Sequence, residues 1–151
     1  MDADPVKSDA TLRHTTMVSL AMVLRVACVA PKLVRWSSPF CIGRSRDFFP
    51  LRLVRRLSDY LADTGADGDG DRMAALSALN ILGHEALIDV VAPLIDGSRW
   101  TNPALRSKAV LTLHKLAHAG HPRAVHILHL VYANPSDNYQ VRHYSLQQML
   151  L

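Results

Sequence analysis

The sequence predicts an all-α protein, an α–α superhelix of antiparallel helix pairs like a HEAT solenoid. The pair Gly83-His84 recurs as Gly120-His121, 37 residues on, and long runs of Val, Ile and Thr are missing. An arginine also precedes a small residue by three positions at separations of 34 and 36 residues: Arg72 and Ala75, Arg106 and Ala109, Arg142 and Ser145. Such periods are typical of stacked helical pairs, because one pair cannot bury its own apolar face.

Composition sets the outer limits of the prediction. The chain has 151 residues, 49% of them hydrophobic and 20% charged, which is enough for one sizeable core and predicts a single domain. The net charge of +4 permits an acidic partner without naming one. No apolar run approaches the roughly 18 residues that span a bilayer.

The N-terminal part predicts a disordered segment, 1–9, followed by one helix. Asp9 suits the N-cap, and Pro31 ends the helix. Its inward residues recur at three- and four-residue spacing: Met17, Leu20, Ala21, Leu24 and Cys28. The stretch 17–30 loosely resembles a signal peptide, but Arg25 interrupts it and it begins far from the terminus, which opposes that interpretation.

A long loop, 31–49, follows and begins the most basic part of the chain. Its single acid is Asp47, and the cations are Lys32, Arg35, Arg44, Arg46, Arg52, Arg55 and Arg56. Two interpretations stand beside each other. The cations either form a solvated surface or bind an acidic partner such as a receptor, a sulfated glycan or a nucleic acid.

The second helix is predicted to begin at Pro50 and to end at Gly65, with one apolar stripe: Leu53, Val54, Leu57, Tyr60 and Leu61. An acidic connector, 65–71, comes next. It resembles a calcium loop, but Arg72 takes the position of the required glycine and Ala78 that of the closing glutamate. We therefore expect no calcium site there.

Five shorter helices are predicted beyond residue 71, over 72–82, 85–95, 103–119, 122–133 and 138–150. Gly83 and Gly120 end two of them, and Asn102 caps another. The inward residues include Leu76, Leu79, Leu82, Leu87, Val91, Leu94, Leu105, Leu113, Leu116, Val125, Leu128, Val131, Val141, Leu146 and Met149. Short connections indicate antiparallel neighbours.

The recurring arginine and small residue have a packing explanation. Ala75, Ala109 and Ser145 would allow two helix axes to approach closely. Arg72, Arg106 and Arg142 would each reach a neighbouring carbonyl or acid and order the stack. Repetition at a fixed period favours this structural role over ligand binding.

The sequence contains no complete catalytic or metal-binding motif. His114 and His118, and likewise His126 and His129, have spacings that permit shared metal ligation, but no carboxylate or cysteine lies nearby in sequence to complete a site. Nucleophile elbows and phosphate-binding glycine loops are missing. We therefore expect no enzyme activity, no cofactor and no metal.

Cys28 and Cys41 are the only two cysteines. A bridge between them would close 14 residues and stabilise by about 3 kcal/mol in the chain-entropy model. In a reducing compartment they would instead be buried thiols. The residue pattern leaves both states open.

Several short segments occur in a characteristic order and spacing: TLRHTT at 11–16, the two cysteines, ALNILGH at 78–84, PLIDG at 93–97, LRSKAV at 105–110, VYANP at 131–135 and VR at 141–142. Together they resemble the N-terminal helical domain of large lipid transfer proteins, the family of vitellogenins, apolipophorins, apolipoprotein B and the microsomal triglyceride transfer protein. The resemblance covers residues 10–151. It implies a superhelical domain, a disulfide between Cys28 and Cys41, and secretion with a signal peptide outside this sequence.

Two function classes follow. The resemblance implies lipid transport, with this chain a non-catalytic scaffold segment of a longer protein whose β-sheet domains hold the lipid. The alternative is a helical-repeat interaction module that binds an acidic partner through the basic 32–56 region. No specific nucleic-acid recognition and no transmembrane segment are expected.

Overall fold

The regular structure is entirely helical in the part of the chain described by the computed structural model, which comprises residues 5–29, 45–62, 68–99 and 101–150. The α-helices are α1 Pro5–Leu24, α2 Ser45–Ala62, α3 Gly68–Leu82, α4 Leu87–Ile95, α5 Pro103–Thr112, α6 His114–His118, α7 Pro122–Ala133 and α8 Tyr139–Leu150, and a π-helical segment, Arg25–Val29, continues α1. The predicted all-α class is confirmed. None of these helices is long and apolar enough to cross a membrane.

The chain divides into two compact units, Met1–Leu82 and Gly83–Leu151, where the composition predicted one domain. Each unit has a core of its own. The fully buried large side chains of the first unit include Leu57, Leu76, Leu79 and Leu82, and those of the second include Leu87, Leu94, Leu113 and Leu128. Division into local cores is natural for a helical repeat, because each repeat contacts only its neighbouring repeats.

In the first unit, α1 packs chiefly against α3, and α2 packs against α3 as well. Met17, Ala21 and Cys28 are buried as predicted, but Leu20 is 44% exposed, so its inward assignment is wrong. Spacings of three and four residues define a wide stripe on a helix, and neighbours cover only part of it. The predicted disordered 1–9 is also wrong from Pro5 onward, because proline suits the first helical turn.

Two further helix starts differ from the predictions. Helix α2 begins at Ser45 and contains Pro50, so residues 45–49 are not part of a loop; residues 31–44 lie outside the described ranges. Helix α3 begins at Gly68, so the acidic connector cannot extend to Asp71. Asp69 and Asp71 stand in its first turn, where carboxylates interact favourably with the positive end of the helix dipole. Gly65 and Asp67 lie outside the described residues.

In the second unit the predicted helices are present, with one interruption and one misplaced face. The helix predicted over 103–119 divides at Leu113, whose N–H donates to the Val110 carbonyl over three residues instead of four. Asn102 caps α5 by accepting from the Ala104 N–H at 2.9 Å, as predicted. Val125 is 39% exposed, so its inward assignment is wrong; Ala124, one position earlier, is buried.

Candidate functional site

The side chain of Arg106, on α5 in the second unit, makes a buried set of polar contacts with two other segments. Its Nε and Nη2 donate to the carbonyl of Ile95, the last residue of α4, at 3.1 and 2.7 Å. Nη1 and Nη2 also donate to the two carboxylate oxygens of Asp137 at 2.6 and 2.7 Å. Only 9% of each side chain is exposed. We call Arg106, Asp137 and the Ile95 carbonyl the Arg106 clamp.

The backbone beside the clamp is shaped to admit the guanidinium. Gly97 has a φ of +82°, a conformation that favours glycine, and a Cβ there would lie 3.2 Å from Cζ of Arg106. The clamp thus lies at the C-terminal end of α4, where carbonyls lack helical partners and positive charge is favoured. PLIDG at 93–97 therefore supplies both the acceptor and the space for Arg106.

Opposing effects act on the carboxyl of Asp137. Burial raises its pKa. The hydrogen bonds from Arg106 and from the N–H of Asn138, together with the charges of Arg106 and Arg142, outweigh burial, so the pKa lies below its ordinary value of 3.8. The carboxylate is therefore held ionised inside a largely buried ion pair.

This lowered pKa predicts a loss of stability in acid. The contribution of Asp137 is present in full above its unfolded-state pKa, near 3.8, and is lost as pH falls through the lower folded-state value. Urea denaturation from pH 6 to pH 2.5 should show a steeper loss of unfolding free energy for the parent than for Asp137→Asn. Parallel pH profiles for the two proteins would contradict the lowered pKa.

Of the other two recurring arginines, Arg142 makes a contact like that of Arg106, whereas Arg72 pairs with an acid of its own helix. Nε of Arg142 on α8 donates to the Tyr132 carbonyl near the end of α7 at 3.1 Å, ten residues back; the Arg106 bond to Ile95 spans eleven. In the first unit, Arg72 Nη1 donates to Asp69 at 2.9 Å. The small partners Ala75, Ala109 and Ser145 are all fully buried.

The first unit has its own polar tie and an open groove. Asp71 accepts from Arg13 Nη2 at 3.3 Å and lies 2.6 Å from Nε2 of His14, so α1 is joined to α3. Between α1 and α2 lies a groove of about 320 Å³, which we call the α1–α2 groove. It is lined by Asp9, Leu12, Arg13, Thr16, Met17, Leu20, Leu53, Arg56, Leu57 and Tyr60.

Only part of the predicted basic region can be placed. Arg52, Arg55 and Arg56 are exposed on α2 and line a second groove of about 500 Å³ that shares Leu20, Leu53 and Arg56 with the first. Arg56 Nη1 lies 3.7 Å from Asp59. Lys32, Arg35, Arg44 and the side chain of Arg46 lie outside the described part of the chain.

The cysteine and histidine hypotheses have different outcomes. Cys28 is buried in the π-helical segment, while Cys41 lies outside the described residues, so their pairing stays a prediction. His114 and His118 stack with ring centroids 6.1 Å apart. No group of three or more histidine, cysteine or acidic residues within the described ranges is placed to hold a metal ion.

Sequence reasoning missed Asp137, the Ile95 carbonyl and the α1–α2 groove. Asp137 is 31 residues from Arg106, so no local pattern connects the two. A backbone acceptor such as the Ile95 carbonyl leaves no side-chain signal. The glycine in PLIDG, followed nine residues later by Arg106, is the signal that could have identified this part of the clamp.

One known protein family matches the whole length of the chain. The profile of the Vitellogenin TPR domain aligns with residues 1–151. Neither the curated proteins nor the solved structures give a significant match. The profile agrees with the all-α structure and with the resemblance carried by the short segments from residue 11 to residue 142. The chain therefore belongs to the vitellogenin TPR domain family, the N-terminal helical domain of lipid-carrying proteins.

Proposed function

We propose that this chain is a non-catalytic scaffold segment of a secreted lipid-carrying protein and serves lipid transport through the β-sheet domains of the longer protein. The observation that carries the proposal is the Arg106 clamp. Its guanidinium donates to Asp137 and to the carbonyl at the end of a helix. The buried charges of Arg106 and Asp137 are therefore satisfied within the protein. Such saturation suits an element that holds helices in place.

The helical repeat adds a second line of support. Arg106 and Arg142 each tie a helix to the end of the preceding described element, at nearly the same sequence distance. Helical repeats stacked in this way form extended surfaces. Such a surface suits packing against another part of a large protein. Membership of the vitellogenin TPR domain family supplies the lipid-carrying context.

The test is the composition of the intact native protein. Antibodies against this chain should isolate a longer secreted protein that has lost a signal peptide and carries extractable lipid in stoichiometric amounts. Mass spectrometry of the protein and of the organic extract measures both. An intracellular, lipid-free protein of any length would overturn the proposal.

The proposed secretion predicts a disulfide between Cys28 and Cys41. Burial of Cys28 and the finding that it is not a free cysteine support this pairing. Peptide mapping of the native protein without reduction should detect the linked peptides, and they should separate after reduction. Two alkylatable thiols in protein taken from an extracellular fluid would contradict the prediction.

A second candidate function is binding of an acidic receptor element or sulfated glycan. It is favoured by the exposure of Arg52, Arg55 and Arg56 on one helix, where Arg56 has a contact of 3.7 Å with Asp59. Replacing Arg44, Arg46, Arg55 and Arg56 with glutamine should weaken retention on heparin, and parent retention should fall steeply with salt. Equal retention of parent and variant would leave the cations as a solvated surface.

A further inference from the structure

The α1–α2 groove combines a buried apolar floor with an exposed apolar rim. Met17, Leu53 and Leu57 form the floor and are all buried. On the rim, Leu12 is 66% exposed and Leu20 is 44% exposed. The residues from α1 recur every three or four positions, so one face of that helix forms a continuous wall. Apolar rim residues beside a preformed concave floor are typical of a binding groove and not of a closed core.

The polar side chains that α1 contributes to the groove mostly bond to other groups of the protein. Thr16 donates its hydroxyl to the Leu12 carbonyl at 2.7 Å. Arg13 pairs with Asp9 at 3.0 Å and with Asp71 at 3.3 Å, so these charges are matched. A neutral polar molecule would therefore find few free partners in the groove. Its interior instead favours an apolar chain.

One end of the groove is cationic. Arg56 is 73% exposed, and its contact with Asp59 is long, at 3.7 Å. Arg56 also lines the neighbouring groove together with Arg52, Arg55 and the acid Asp59. An anionic group at this end would meet net positive charge without displacing a buried ion pair.

We propose that the α1–α2 groove binds a single-chain amphiphile with an anionic head, such as a long-chain fatty acid, with its tail along Leu12, Met17 and Leu20 and its head at Arg56. A volume of about 320 Å³ is at the low end of small-molecule pockets, roughly 300 to 1,000 Å³, and suits one acyl chain better than two. This goes beyond the scaffold role and does not depend on it, since the site lies on this chain itself.

Calorimetric titration of the full chain with dodecanoate, kept below its micelle concentration, tests the proposal. Dodecanoate should bind saturably with one molecule per chain. Dodecyltrimethylammonium has the same tail with a cationic head and should bind about tenfold more weakly, because the attraction to Arg56 becomes repulsion. Equal affinity for the two amphiphiles, or no saturable binding of dodecanoate, would overturn the proposal.

Variants locate the site. The double change Leu12→Gln and Leu20→Gln should weaken dodecanoate binding at least about tenfold through lost apolar contact, and Arg56→Gln about threefold. Leu130→Gln and Arg99→Gln, exposed positions in the second unit, are matched controls that should bind like the parent. Circular dichroism should show that each variant remains helical, since every changed side chain is at the surface.

The source of the amphiphile is tested separately. Phosphatidylglycerol vesicles present an anionic lipid surface without free single-chain amphiphile. Sedimentation with these vesicles, combined with no calorimetric binding of monomeric dodecanoate, would overturn the groove proposal in favour of a surface site. Binding of dodecanoate that is insensitive to the Leu12 and Leu20 changes would also overturn it. Neither outcome bears on the scaffold role, which is tested on the native protein.

Discussion

Replacing Arg106 with alanine is expected to lower the free energy of unfolding by roughly 3 to 5 kcal/mol. The change leaves the Asp137 carboxylate largely buried without its partner and removes both donors from the Ile95 carbonyl. Urea denaturation of the purified chain measures the loss. Breaking one side of a buried ion pair is costly because the remaining charge keeps its desolvation penalty.

Arg123 offers a matched control for this change. It pairs with Asp89 at 2.5 Å, but both side chains are largely exposed, at 62% and 72%. Arg123→Ala should therefore cost less than about 1 kcal/mol. If Arg106→Ala and Arg123→Ala shifted the denaturation midpoint equally, the clamp would contribute no more than an ordinary surface pair.

Truncation of a core leucine is expected to destabilise each unit. Leu79 belongs to the first unit and Leu113 to the second, and both are fully buried. Leu79→Ala and Leu113→Ala should each cost about 2 to 5 kcal/mol, the sum of lost apolar burial and the cavity left behind. Thermal and urea denaturation measure the effect for both variants.

The controls for this second prediction are surface positions of the same units. Leu12→Ala and Leu130→Ala remove the same atoms from exposed sites and should cost a few tenths of a kcal/mol. His114→Ala, next to Leu113, should also cost far less than the core changes. Equal losses from buried and exposed leucines would show that the assigned helix faces are wrong.

The sequence predicted the fold well because helix punctuation is local. Proline at the start of α5 and α7, the Asn102 cap, and glycines after α3 and α6 all act over one turn. Helix starts are harder to place where several residues suit the first turn. The predicted starts of α1, α2 and α3 are all too late, because Asp9, Pro50 and Asp71 also suit positions at or near a helix start.

The site was predictable only in part. Repetition identified Arg106 and Arg142, because equivalent stabilising contacts recur at a fixed spacing in a repeat protein. Their acceptors did not follow, because the Ile95 and Tyr132 carbonyls carry no side-chain information. Leu20 was assigned inward because periodicity reports an apolar stripe and not what covers it. The groove it lines depends on the spacing of two helices, which no local pattern encodes.

A double-mutant cycle on Arg106 and Asp137 tests most directly the claim that the recurring arginine is a structural tie and not a ligand-binding group. Arg106→Met and Asp137→Leu should each be strongly destabilising alone, and the double variant should regain much of the loss, since no unpaired charge remains buried. We expect a coupling energy of about 2 to 3 kcal/mol from urea denaturation of the four proteins. Strictly additive losses, with no recovery in the double variant, would contradict the account.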